Sequence, residues 1–173
     1  MKRFIPVFIL CIIGVCLAAC GESNTGIKTN GSTASTPTAA APAQHFKVSD
    51  TVKVGNTWQV VVNSVKTDPG DQYSSLKQGD VYLLVDVTIT NISNKEQTTS
   101  SIGDWKLTDA SGQAYSATFF SGAPSAPDGK VESGSPAKGT LTYEVPSSVK
   151  EFRLAFAPSM FSSGQTIWDL TVS

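Results

Sequence analysis

From Phe46 to the C-terminus, apolar and polar positions alternate with a period of two rather than 3.6. Val81, Leu83, Val85, Val87 and Ile89 alternate with Tyr82, Leu84, Asp86, Thr88 and Thr90. The same alternation places Leu141, Tyr143 and Val145 on one side of a strand, and Phe152, Leu154 and Phe156 on one side of another. Trp168, Leu170 and Val172 repeat it near the end of the chain. One side of each set is expected to face a core, the other solvent or a neighbouring element. Residues 58–65, which read WQVVVNSV, form a strand whose facing stays open, because valine occurs on both sides. Turn formers separate the runs at Val54-Gly55-Asn56, Asp68-Pro69-Gly70-Asp71, Asp109-Ala110-Ser111-Gly112 and Ser163-Gly164. No stretch of ten residues carries a helical stripe. About eight short strands with turns between them predict an all-β, antiparallel two-sheet sandwich.

The order of these segments is similar to a known family. Val54-Gly55-Asn56 precedes a valine-rich strand. Next come the segments 82–91, YLLVDVTITN, and 105–115, WKLTDASGQAY. Pro136-Ala137-Lys138-Gly139 then leads into 141–146, LTYEVP, and the last motif is 152–156, FRLAF. Together they resemble the telokin-like, immunoglobulin-like extracellular domain of many bacterial lipoproteins of uncharacterised function. The resemblance covers about residues 46–173. It implies a two-sheet sandwich without a disulfide, and it brings no catalytic residues with it. Within these motifs, Asn91 is expected to tolerate a turn conformation where its strand leaves the sheet. Gly139 suits a bulge or a positive φ, and Pro146 ends its strand because it cannot donate to the ladder.

Ahead of residue 46 the pattern changes twice. Lys2 and Arg3 precede an apolar run from Phe4 to Val15, which is too short for a spanning helix of about 20 residues and suits a signal peptide. Leu17-Ala18-Ala19-Cys20 follows directly and resembles the lipobox of bacterial lipoproteins. That resemblance implies cleavage between Ala19 and Cys20 and a diacylglyceryl group on the Cys20 sulfur. Two acyl chains suffice for stable anchoring. Ordinary secretion with a free Cys20, or an uncleaved anchor, is the alternative. Gly21 stands where an acidic retention signal would be, and a Gram-positive cell membrane with the domain on its outer face is the favoured location. Residues 21–45 are rich in Ser, Thr, Ala, Gly and Pro, with Ile27 as their one large apolar side chain. They read as a flexible tether of roughly 25–30 Å root-mean-square span. The organisation expected is thus a signal peptide over 1–19, a lipidated tether over 20–45 and a folded domain over 46–173.

Composition narrows what that domain does. The chain carries 13 basic and 14 acidic side chains, for a net charge of −1. Loss of Lys2 and Arg3 with the signal peptide makes it more acidic, and no basic stripe exists for nucleic acid. Its three cysteines, at 11, 16 and 20, all precede the domain, which must be stable without a disulfide. His45, the single histidine, has no cysteine nucleophile or second histidine to work with, and no G-x-S-x-G, C-x-x-C, H-E-x-x-H or phosphate-binding glycine pattern occurs. No catalytic residue and no cofactor is therefore expected. Asp68, Asp71 and Asp80, around Pro69-Gly70, are candidates for a Ca²⁺ site, or form a plain solvated turn. Phe119 and Phe120 are candidates for ligand binding, since they open a long Gly/Pro/Ser-rich stretch to Pro136, or else Phe120 packs under that stretch. Trp58, Trp105 and Trp168 are expected in the core or at sheet edges. The function that fits is a non-enzymatic binding module on the cell surface. It is held to the membrane by lipid on Cys20, and its partner is an envelope or extracellular protein. A structural envelope component without a discrete ligand is the alternative, and a hydrolase the third.

Overall fold

The computed structural model describes residues 43–158 and 166–173. These form eleven strands and no helix: β1 Gln44–Lys47, β2 Thr51–Val54, β3 Trp58–Asp68, β4 Asp80–Asn91, β5 Gln97–Thr99, β6 Trp105–Asp109, β7 Ala114–Tyr115, β8 Gly129–Val131, β9 Pro136–Pro146, β10 Glu151–Phe156 and β11 Thr166–Thr171. One sheet has the order β1-β11-β10-β6-β7 and faces a second with the order β2-β3-β4-β9; β5 and β8 pair separately. The all-β sandwich is as the alternation predicts. The strands exceed the expected eight because β1, β5, β7 and β8 are two to four residues long, too short to show a period. One pairing departs from the antiparallel rule, since β1 runs parallel to β11. The turn expected at Ser163-Gly164 lies outside the described residues.

The core lies between the sheets. Leu83, Val85, Val87 and Ile89 of β4 and Leu141, Tyr143 and Val145 of β9 meet Leu107, Phe152, Leu154, Phe156, Trp168 and Leu170 of the opposite sheet. An aromatic chain runs through it, with ring centroids at 6.5 Å for Trp58–Phe156, 4.5 Å for Trp105–Phe156, 6.2 Å for Trp105–Trp168 and 6.0 Å for Phe46–Trp168. All three tryptophans are buried.

A bulge explains the ambiguous segment 58–65. Val62 pairs with Val87, but the next pair is Ser64 with Asp86, leaving Asn63 as the extra residue. Trp58, Val60 and Val62 point into the core, and the added residue changes the phase so that Val65 packs against it too. Asn63 turns its amide outward, donating to Asp86 and, at 2.9 Å, to Thr88 Oγ1.

The chain changes sheets at both sides of the sandwich. Between β1 and β2 it crosses through Val48–Asp50, with Ser49 at φ 75° and its N–H donating to the Val62 carbonyl at 2.8 Å. On the other side, β7 pairs with β6, and two residues later Ala117 bridges to Tyr143 of β9.

One expectation is refined and one changes on inspection. Asn91 ends its strand as expected, and its side chain shapes the turn that follows. Fully buried, it donates to the Lys95 and Val131 carbonyls at 2.8 Å each and accepts from Ser93 N–H and Oγ. Gly139 has neither a bulge nor a positive φ; it sits within β9 beneath another backbone segment.

Candidate functional site

The stretch after β7 is a strap along the free edge of β9 that folds over the outer face of the second sheet at Phe120. Thr118 N–H donates to the Thr142 carbonyl at 2.8 Å, lengthening the edge of β9. The chain then turns, with Ala123 N–H on the Phe120 carbonyl at 3.1 Å, and returns so that Thr140 N–H reaches the Ser125 carbonyl at 3.0 Å. The return is tight. A methyl group on Gly139 would collide with the Ser125 carbonyl oxygen, so only glycine lets residues 125–127 approach. Beneath the strap, the Phe120 ring stacks on Tyr82 at 4.4 Å and 18°. Tyr82, Leu84 and Phe120, with Leu76 and Ala123, form a second apolar cluster outside the main core. At this end β4 is therefore apolar on both faces. Of the two settings that alternation allowed for Tyr82 and Leu84, they take the neighbouring element rather than solvent, and Thr140 and Thr142 are buried as well.

This settles the placement of the two candidate phenylalanines. Adjacent residues in extended chain point to opposite sides. Phe120 is buried and holds the strap down, whereas Phe119 is 80% exposed. The stretch from 119 to 136 is also not one loop, because β8 interrupts it and pairs with β5.

The carboxylates proposed for Ca²⁺ serve the turn instead. Asp68 accepts from Gly70 N–H at 2.8 Å, and Asp71 accepts from Tyr73 N–H at 2.9 Å and from Ser74 Oγ at 3.0 Å. Asp80 opens β4. Among the described residues, no group of three or more His, Cys, Asp or Glu side chains could hold a metal ion, so Asp68, Asp71 and Asp80 are not brought together as a ligand set. The loop they shape is pinned at its far end, where Lys77 N–H donates to Glu144 at 3.0 Å and the Lys77 ammonium lies 3.6 Å from the same carboxylate. Its Tyr73 is 79% exposed.

Two open grooves share Ala117 and Thr118 in their linings. One, of about 530 Å³, is lined by Lys77, Asp80, Gln113, Tyr115, Ser116 and Glu144 among others. The other, of about 430 Å³, is lined by Ser101, Phe119, Pro124, Asp128 and Thr142 among others. Hydrogen bonding from the Lys77 backbone, aided by the Lys77 charge, holds the Glu144 carboxyl below its usual range, so it is ionised at neutral pH. The Tyr115 phenol is pushed up to about 12, by burial and then by its bond to Asp109, and it stays a donor. Burial raises the Asp104 carboxyl, in a loop where Ser101 donates through N–H and Oγ to Asp128. His45 lies in β1, at the junction expected of it, and its Nδ1 is 3.0 Å from the Asp169 carboxylate of the neighbouring β11. The grooves thus offer hydroxyl, amide and carboxylate groups, and the second adds the exposed ring of Phe119.

Ala19 and Cys20, with the signal peptide and the tether as far as residue 42, lie outside the described residues. Sequence reasoning reached Phe119 but not Tyr73, Lys77 or Glu144. An aromatic residue between the turn formers Asp71 and Ser74 was the available signal for Tyr73.

Residues 46–167 match the family described as Domain of unknown function (DUF4352). This chain belongs to that family. The DUF4352 match takes in β2 to β10 whole, together with the end of β1 and the start of β11. No curated protein matches the sequence. Among solved structures, the domain is similar to the yjhA protein of Bacillus subtilis, with a TM-score of 0.56 and 22% identity over 72% of this chain and 98% of that one. It is also similar to the secreted protein MPT63 of Mycobacterium tuberculosis, with a TM-score of 0.55 and 15% identity over 73% and 97%. A candidate lipoprotein of Bacillus subtilis, ycdA, gives a TM-score of 0.58 and 18% identity over 71% of this chain; the match spans 39% of ycdA. At these identities the likeness is one of fold.

Proposed function

We propose that this DUF4352 chain is a lipid-anchored surface protein whose telokin-like, immunoglobulin-like sandwich is a non-enzymatic binding module. Residues 1–19 are its signal peptide, Cys20 its lipidated N-terminus, 20–45 its tether and 46–173 its binding domain. The anchor rests on Lys2 and Arg3, the apolar run and Leu17-Ala18-Ala19-Cys20 standing in register. The lipoprotein description of ycdA and the secreted description of MPT63 agree with an extracellular position.

The observation that carries the binding reading is the strap. Phe120 fixes it from beneath while its neighbour Phe119 is turned to solvent, so the fold holds an exposed ring in a defined place. Interfaces draw much of their energy from a few such anchors. Two measurements test the proposal. Detergent phase partitioning of Cys20→Ala should move the chain out of the detergent phase or leave it as precursor; a processed variant that stays membrane-bound refutes the lipid anchor. Capture from envelope extract with the full chain should retain a partner that Phe119→Ala loses. Equal capture by both refutes the site.

A further inference from the structure

We propose that the groove holding Phe119 and Asp128 seats an arginine from an extended, basic segment of a partner protein. This rests on the reading of the domain as a binding module and names the chemistry of its partner. Phe119, Asp128, Ser101, Thr118 and Thr142 all line this one groove of about 430 Å³. Phe119 is 80% exposed, and its backbone is fixed between Thr118, whose N–H bonds the Thr142 carbonyl, and the buried Phe120. Asp128 is also held. Ser101 donates to its carboxylate through N–H and, at 2.9 Å, through Oγ. The preceding residue, Ser100, donates its N–H to Asp104 at 2.8 Å, so consecutive residues of one loop orient both carboxylates. Among the described residues, no basic side chain pairs with either.

The ligand class follows from what these groups attract. A guanidinium is planar, lays its face on an aromatic ring and donates paired hydrogen bonds to a carboxylate. This groove offers a ring and a carboxylate at fixed positions. Asp128 is the only charged side chain among the described residues that line it, so no charge in the lining opposes a cation. Burial and, more weakly, the Asp128 charge raise the nearby Asp104 carboxyl, and a bound cation relieves that repulsion. The larger groove indicates a chain rather than a single residue. It shares Ala117 and Thr118 in its lining and carries Asp80 and Glu144 against one base, Lys77, which lies 3.6 Å from Glu144. Acidic surface thus continues past the space that one arginine fills, complementary to a segment with further basic residues.

The test uses the full chain in detergent with the amidated peptide Arg-Gly-Arg-Gly-Arg as probe. Its citrulline counterpart is the uncharged isostere, its glutamate counterpart the anionic control, and N-acetylarginine amide the single residue. Titration calorimetry at low salt should show saturable binding of the arginine peptide, at least about tenfold tighter than the citrulline peptide or the single residue. Asp128→Asn should weaken it at least about fivefold. Phe119→Ala should weaken it about fivefold, and Phe119→Leu, which keeps apolar bulk without a ring face, about threefold. Melting temperatures show which variants stay folded; if Asp128→Asn does not, the citrulline peptide and the Phe119 variants decide. Glu151→Gln, on β10 and in neither lining, changes the net charge equally and should bind like the unaltered chain. No saturable binding, equal binding of the citrulline or glutamate peptide, a single residue that binds as tightly as the peptide, a loss with Glu151→Gln matching that with Asp128→Asn, or normal binding by Phe119→Ala overturns the proposal. If the peptide fails while Phe119 is still needed to capture an envelope protein, the ligand class falls and the binding module stands; if both fail, both fall.

Discussion

Phe120→Ala tests the two-layer organisation of the strap most directly. A phenylalanine only 7% exposed removes roughly 150 Å² of apolar surface from water, worth about 4 kcal/mol at 25 cal/mol per Å². Alanine retains about 1 kcal/mol of this by the same measure. Loss of the stack on Tyr82 adds about 0.5–1.5 kcal/mol. The strap can settle into the space, which reduces the cavity contribution. A loss of about 4 kcal/mol is therefore expected, within the range for buried Phe→Ala, and roughly a 15 °C fall in melting temperature. Urea unfolding followed by tryptophan fluorescence measures the global change, since the three tryptophans report the main core. Hydrogen exchange measures the local one. The amides of Thr118 and Thr140, bonded to Thr142 and Ser125, should lose more protection than core amides such as Val85 and Leu154. Phe119→Ala should stay within about 0.5 kcal/mol of the unaltered protein. A Phe120→Ala midpoint that does not move, or a larger loss from Phe119→Ala, would refute the assignment of inside and outside.

Gly139→Ala should destabilise by about 1–3 kcal/mol, because its methyl would collide with the Ser125 carbonyl. A variant as stable as the parent by denaturant titration would mean that the strap does not lie on β9. Asp109 accepts from Ser111 N–H and Oγ, Gln113 N–H and Tyr115 OH, with the Ser111 hydroxyl the leading cause of a carboxyl lowered from 3.8 to about 2. A depressed folded value means that its stabilisation is present above about pH 4 and is lost as pH falls through about 2. Melting temperatures between pH 2 and 5 should show Asp109→Asn lowering stability most at the upper end, with the gap to the parent closing towards pH 2; a gap that stays constant would sink this account.

The parts of the fold legible in the sequence are those with one buried face. In β10, Phe152, Leu154 and Phe156 enter the core and the intervening residues do not, as alternation requires. The satellite cluster was hidden because it joins residues far apart in sequence. Phe120 stacks on Tyr82, and Ser125 lies on Gly139, contacts that no local period records. Its one trace was the unbroken run Tyr82-Leu83-Leu84-Val85, where a strand covered on one face would have alternated. The parallel pairing of β1 was equally silent, since four residues with one inward ring, Phe46, carry no period. The candidate site was half visible: paired phenylalanines ahead of a Gly/Pro/Ser-rich stretch marked the place, but which ring faced out depended on Tyr82.

The sheet changes at the two sides of the sandwich bear on life in a crowd. Proteins fixed to one surface meet their own kind at high local density, where an unpaired strand is a template for aggregation. Here the crossing from β1 to β2 divides one flank between the sheets, so each sheet ends in only four residues, with Lys47 and Lys53 among them. On the opposite flank Ala117 and Thr118 occupy the margin of β9. Short, lysine-bearing or occupied margins deter neighbouring copies from joining their sheets, which keeps copies of the domain separate wherever they are concentrated.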